Sequence, residues 1–398
     1  MKNLKQSYSI KSVRKTSLPT PLRRRGECFP KLKSAKFCSP SIKIFLAVVF
    51  GLFYGKTKAN NDEGESIERK KNITFSYTIS AKDNILINNQ FGDIKVTFWD
   101  KNEVKVEVVI VAIARTEELA ARFINTVNVI GKKTEGQVSI KTDIDSNGGK
   151  SSNNSWSDNS GNNEKKSLKI DYQVFMPKEN NLFLKNSFGN TVLPTFTSVL
   201  NITQSYGKLS AENISNTQSD VNLAFSKNSY IKSMTGGKLK ASYSGIKMER
   251  ADDLIFNNSF GDIDIKEVGK LNAKISYSNG LIGLIRESSN LKLEFSEGFK
   301  LGELGKNLKE LNLNASYSPI SLTLNDDVSY DFDVKSNYGE FSYPKERGVS
   351  FTKNTENEEK KQERYSFNPT KLFIGKVGKG ATSCKIIINS NFGSVRLK

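Results

Sequence analysis

The chain has 398 residues, 36% of them hydrophobic, enough to bury a sizeable core, so disorder throughout is excluded. Its formal charge of +18 sits at the front: residues 1–43 hold twelve Lys/Arg against Glu27 alone, Lys56 and Lys58 add two bases, and from Asn60 onward 46 bases face 41 acids, a net of +5 that argues against a nucleic-acid binder. There is no histidine, which excludes Ser-His and Cys-His catalysis, and once Cys28 and Cys38 leave with a processed leader only Cys384 remains, so no disulfide, thiolate metal cluster or cofactor is expected.

Residues 44–54 (IFLAVVFGLFY) form a short apolar stretch preceded by Lys43 and followed by Thr57-Lys58-Ala59. A basic segment, a short apolar core and small residues are the parts of a signal peptide, which predicts export with cleavage after Ala59 and assigns residues 1–59 to a leader. The stretch falls short of the roughly 20 residues that span a bilayer, so no permanent transmembrane anchor is expected.

Residues 70–180 read as an N-terminal cap. Strand-rich sequence (ITFSYTIS, ILINNQFGDIKVTFWD, VKVEVVIVAI) is followed by one amphipathic helix, EELAARFINT, capped by Thr116. Residues 146–163, with fifteen Ser, Asn or Gly among eighteen, read as a flexible excursion before a further strand at Tyr172–Phe175.

A repeat organises residues 181–343: an apolar strand, usually Ser or Asn, an aromatic, Gly or Ser, then a second apolar strand. The aromatics are Phe188, Tyr206, Phe225, Tyr243, Phe260, Tyr277, Phe295, Tyr317 and Tyr338, spaced 18, 19, 18, 17, 17, 18, 22 and 21 residues apart, with isolated relatives at Phe91 and Phe392. The position four residues before the aromatic is apolar in all eleven copies, and a second apolar position usually stands two residues earlier. Such period-2 spacing marks one face of a strand. Beyond the Gly or Ser the apolar positions resume three and five residues on, so parity flips across a bend, as in Ile263 and Ile265. Each repeat is then strand, corner, strand around a shared interior that one repeat cannot close by itself. The predicted fold is all-β, a single-domain β-solenoid of parallel β-helix type with about 18 residues per rung. The corner aromatics share the parity of the apolar column, which predicts an internal stack with a structural role; the competing reading is a stacking platform for sugars or bases. Asn89, Asn186, Asn258 and Ser336 are expected to satisfy corner backbone groups.

Residues 344–366, charged and poor in apolar side chains, read as a mobile loop, and residues 367–398 as a hairpin joined at Asn391-Phe392-Gly393 that caps the far end. The acid pairs Asp252-Asp253, Asp326-Asp327 and Asp331/Asp333 raise sugar cleavage on a β-helix, but neighbours on a strand point to opposite faces, so turn acids are the expectation and no catalytic residue is assigned.

NNQFGDIKV, the helix EELAARF, YQVFMPKENNLFLKNSFGNTVL, the recurring corners and the terminal INSNFGSVRL resemble the bacterial putative-adhesin domain, a family of unknown function, over residues 70–398. The resemblance implies a β-solenoid at the cell envelope and brings no catalytic residues with it. The function expected is that of an exported, non-enzymatic envelope protein, periplasmic, at the surface or secreted, acting as an adhesin-like binding or structural scaffold. Its partners would be a polysaccharide, an envelope protein or further copies of itself, not nucleic acid. The alternative is a polysaccharide-active β-helix enzyme, a lyase or hydrolase using surface carboxylates.

Overall fold

The computed structural model describes residues 66–145, 167–356 and 369–398; the leader with Ala59 and the excursion at 146–163 lie outside the described residues. The described chain is all-β with one α-helix, and most of its strands join one large mixed sheet.

Eleven rungs are built on the corner aromatics. In each, a leading strand runs into the corner and a trailing strand leaves it. Ile94–Phe98 trails Phe91, for example, and Leu182–Ser187 leads into Phe188. In the middle of the molecule the trailing strand of one corner continues into the leading strand of the next, as in Ile246–Ser259 and Asp262–Ser276. Successive rungs pair in parallel and keep register over the residues that lead into each corner, the shifts at Val268/Lys270 and Ser329/Tyr330 lying before them, so like residues stack: Ile202 on Val221, Val221 on Leu239, Leu239 on Phe256, Phe256 on Ala273. That column is the apolar position four residues before each aromatic. Register is held because a one-residue slip would turn every apolar side chain of the rung into solvent. Apolar side chains of leading and trailing strands join one continuous buried cluster, in which the small Ala273 beside the large Phe256 keeps the volume balanced.

The N-terminal end is closed by antiparallel strands. Beside the Phe91 rung, Gln137–Ile144 pairs in parallel with Asn84–Gln90 and antiparallel with Val127–Thr134. On the trailing side Ser167–Met176 pairs with Ile94–Phe98 and then antiparallel with Glu103–Ala114, which carries Ile67–Thr78 on its outer edge. The helix Glu117–Thr126 lies between these layers; the Thr116 hydroxyl accepts from the Leu119 N–H at its start, and Ala120 and Ile124, one turn apart, are its buried residues. Antiparallel pairing here ends the parallel ladders instead of leaving open edges.

Three expectations for the far end and the flanks are corrected. Phe91 and Phe392 are not isolated relatives: both head full rungs, Phe91 stacked on Phe188 and Phe392 between Tyr317 and Tyr338. The tail is therefore not a capping hairpin. Thr382–Asn391 runs parallel to Glu310–Ser316 on one side and to Ser329–Asn337 on the other, and Val395–Leu397 lies between Ile320–Leu322 and Phe341–Ser342. The last rung in sequence is the penultimate rung in space. Any rung presents the same apolar parity, so nothing in the repeat pattern dictates which neighbour it takes. Nor are residues 345–354 a mobile loop, for Lys345–Arg347 is a 3-10 turn and Val349–Asn354 a strand paired antiparallel with Thr370–Val377. Thr370–Val377 in turn pairs antiparallel with Ser329–Asn337, and Phe351 packs edge-on against Phe332 and Tyr343, so this segment closes the C-terminal end.

Candidate functional site

The corner aromatics dominate the surface. All eleven have positive φ, between 49° and 60°. An L-residue pays about 1–2 kcal/mol for that left-handed conformation, so something must repay it at each corner. Ten ring-to-ring contacts do: centroids are 4.8–5.1 Å apart and planes within 11° of parallel along the whole column. Each such pair is worth about 0.5–1.5 kcal/mol beyond its buried area.

The expectation of an internal stack is wrong. From Phe188 to Tyr338 the rings are 45–52% exposed. The positive φ explains the error, because extended alternation stops at the residue before the aromatic and the turn swings the ring outward while the following Gly or Ser goes in. Nor are the rings a platform for sugars, since neighbours on the column cover one another's faces and present edges to solvent. In spatial order from Phe188 the column alternates Phe and Tyr strictly through ten rings, an alternation that holds only because Phe392 sits between Tyr317 and Tyr338. Tyrosine hydroxyls thus recur every second rung, about 9.6 Å apart at the usual strand spacing.

Behind the rings, every corner holds a buried polar side chain in one of two places. Where Gly follows the aromatic, the residue two before it is polar: Asn89, Asn186, Gln204, Asn258, Ser336 and Ser390. The Gln204 amide donates to the Gly189 carbonyl at 2.6 Å, Asn89 to Ile170 at 2.8 Å and Ser390 to Gly393 at 2.9 Å, whereas the Ser336 hydroxyl is buried without a partner. Where Ser follows the aromatic (226, 244, 278, 296, 318), the residue two before is apolar and the serine hydroxyl donates to its own strand, while in three rungs it also accepts from the preceding serine's N–H. A buried corner needs one polar group to satisfy its backbone, and two would leave one unpaired.

The two sides of the column differ in charge. On the trailing side carboxylates are interleaved with the bases and four bases are neutralised by adjacent rungs, Lys232 by Glu212 at 3.4 Å, Lys247 by Asp264 at 3.6 Å, Arg250 by Glu267 at 2.6 Å and Lys266 by Glu249, while Lys95, Lys208, Lys227 and Lys300 make no ion pair among the described residues. On the leading side the outward position three before each aromatic, continued onto Gln137–Ile144, makes one row of twelve residues in register: six Lys, five Asn and Thr203, with no carboxylate. Its lysines are Lys141, Lys185, Lys240, Lys274, Lys292 and Lys335. Between this row and the rings runs a second, mostly serine, in which Glu294 pairs with Lys274 at 3.4 Å and Lys292 at 2.8 Å; the hydrogen bond from Lys292 holds its carboxyl below the usual range. Among the described residues Lys141, Lys185, Lys240 and Lys335 make no ion pair. The trailing side also carries a groove of about 730 Å³ beside Tyr243 and Phe260, with Lys208, Lys227, Tyr230 and Asp262 among its walls.

The acid pairs do not converge. Asp252 is held by Arg286 at 2.7 Å and Arg250 at 3.0 Å, Asp327 pairs with Lys306 at 2.5 Å and Asp326 with Arg347 at 3.5 Å, while Asp253 and Asp331 are exposed on separate strands and Asp333 is half-buried two residues beyond Asp331. The signal for the lysine and asparagine row in the sequence is a repeated polar residue three before each aromatic, visible once the repeats are aligned on their rings.

No family model matches the chain, and no curated protein does. Solved structures similar to it include a putative cell adhesion protein from Clostridium sporogenes (11% identity, 83% of this chain and 99% of that one, TM-score 0.18). Others are a putative adhesin from Bacteroides fragilis (11%, 82% and 97%, 0.28) and one from Parabacteroides distasonis (10%, 84% and 98%, 0.33).

Proposed function

We propose that this protein is an exported, non-enzymatic envelope protein, a β-solenoid whose outer faces act as an adhesin-like binding scaffold for a polysaccharide or an envelope protein. Residues 1–59 are its leader, cleaved after Ala59, and the corner aromatics are structural, joining the rungs. One observation carries the reading: eleven rungs in register multiply each outward side chain into a row, giving long, repetitive, polar surfaces. A surface of that kind suits extended partners better than a small substrate, which is bound in an enclosed pocket with convergent groups.

The test is a glycan array and a cell-surface pull-down with the full chain, run beside a variant with alanine at Asp252, Asp253, Asp326 and Asp327, with products of the same glycans analysed. Retention without turnover, unchanged in the variant, is expected. Cleavage abolished by the substitutions would establish the carboxylates as catalytic and refute the scaffold.

A further inference from the structure

We infer that the lysine and asparagine row on the leading side is a binding track for a linear, sparsely charged acidic glycan lying along the stack of rungs. The inference rests on the scaffold reading above and adds the ligand's chemistry and the face that takes it.

Four observations converge. The row contains no carboxylate and four of its six lysines have no ion-pair partner, whereas the opposite side interleaves carboxylates that neutralise Lys232, Lys247, Arg250 and Lys266 and leaves Lys95, Lys208 and Lys300 as unpaired bases among acids. Unpaired like charges held in one row repel each other, and a bound polyanion removes that repulsion. The row's carboxylate neighbours are few: Glu294 serves Lys274 and Lys292, Asp143 stands two residues beyond Lys141 on its strand, and Asp220 and Asp333 stand one outward row further from the rings. Between the lysines stand asparagines, and beside them the serine row and the tyrosine hydroxyls, which donate and accept the hydrogen bonds that sugar hydroxyls offer.

Charge spacing decides which polyanion. Eleven steps of about 4.8 Å make the row about 53 Å long, and with Lys141 and Lys335 at its ends the six lysines stand on average about 11 Å apart, at intervals of one to three rungs. Duplex DNA carries a charge every ~1.7 Å of its axis, and a single strand one every ~3.4 Å, far denser than the row can match. The tyrosine hydroxyls recur at about 9.6 Å, two rungs, which is also close to the lysine spacing. An extended glycan with one carboxylate per two-sugar repeat has that same order of spacing for its charges, with hydroxyls between them.

The experiment uses the full chain and hyaluronan oligosaccharides, which carry one carboxylate per disaccharide, with carboxyl-reduced hyaluronan, duplex DNA and anionic phosphatidylglycerol vesicles as comparisons. Two variants change the charge equally: Lys185→Gln/Lys240→Gln/Lys335→Gln in the row, and Lys95→Gln/Lys208→Gln/Lys300→Gln on the trailing side. All six side chains are exposed, and circular dichroism confirms that each variant folds. The expected result is hyaluronan binding that is lost on carboxyl reduction, falls about tenfold or more in the row variant with a shallower salt dependence, and stays within about twofold in the trailing-side variant. Equal losses in the two variants, or no hyaluronan binding, overturn the inference, and so does tighter binding to DNA or to vesicles. Equal binding of the carboxyl-reduced glycan also overturns it while leaving the scaffold reading intact; oligosaccharide cleavage would sink that reading itself.

Discussion

Replacing Tyr277 tests whether stacking repays backbone strain at the corners. The ring lies between Phe260 and Phe295 at 4.8 and 4.9 Å, is 51% exposed and has φ of 51°. Removing half the buried area of an aromatic side chain, about 100 Å², costs about 2.5 kcal/mol at 25 cal/mol per Å². Losing two stacked contacts at about 0.5–1.5 kcal/mol each adds about 1–3 kcal/mol. Tyr277→Ala should therefore cost about 3.5–5.5 kcal/mol, because alanine keeps the left-handed strain and loses what offsets it. Tyr277→Gly loses the same contacts but adopts positive φ freely, so it should be the more stable of the two by about 1 kcal/mol, reversing the usual order for an extended segment. Tyr277→Phe, with only an exposed hydroxyl removed, should stay within about 0.5 kcal/mol. Stacked repeats open locally, so the assay is hydrogen exchange resolved to the Phe260, Tyr277 and Phe295 rungs, with urea unfolding by circular dichroism alongside. Alanine equal to or better than glycine would refute the strain argument; a loss under about 1 kcal/mol for both would refute the stacking.

Glycine directly after the ring is a matter of space: a Cβ on Gly189 would sit 1.8 Å from the Gly92 carbonyl oxygen, while one on Gly245, which stands a residue further on behind Ser244, meets nothing closer than 3.4 Å. Gly189→Ala should lose about 1–3 kcal/mol in urea unfolding and Gly245→Ala about 0.5 or less, and equal effects would contradict the close-approach account. At the Phe225 corner the buried polar group should be movable, so Ser226→Gly should cost about 1–2 kcal/mol and Leu223→Asn about as much, with the double variant better than their sum; strict additivity would show that the two arrangements are unrelated. Burial pushes the Tyr172 hydroxyl up to about 12 from 10.0, against the opposing effect of its hydrogen bond with Thr142. The hydroxyl is neutral in both states below pH 10, and above it the unfolded chain ionises first, so stability should fall by about 3 kcal/mol between pH 10 and 12. Tyr172→Phe, which leaves Thr142 bonded to Asn89 at 2.8 Å, should remove that part of the alkaline decline, and an unchanged pH profile would count against it. Cys384 is buried in the inserted strand with its thiol pushed up to about 12 by burial, so iodoacetamide should label it about a hundredfold more slowly than the unfolded chain; labelling at the unfolded rate would mean that Thr382–Asn391 is not held between its neighbours.

The sequence alone determined the unit. Apolar residues at even offsets before an aromatic and odd offsets after it can only be two strands around a bend, because strand side chains alternate with a period of two. It also determined the helix, through Thr116 and the one-turn spacing of Ala120 and Ile124. Parity failed where the backbone left the extended region. The aromatic's positive φ throws the ring outward, and no count of alternating residues contains that dihedral. The lysine and asparagine row was present in the sequence as a repeated offset, yet its continuity depends on which rung lies beside which. Only the tertiary structure decided that, since rungs of the same parity are interchangeable as neighbours and local pattern cannot rank them. The tail could enter between the Tyr317 and Tyr338 rungs because both its edges match there, Asn314 on Asn389 and Asn389 on Lys335, with Phe392 completing the ring column.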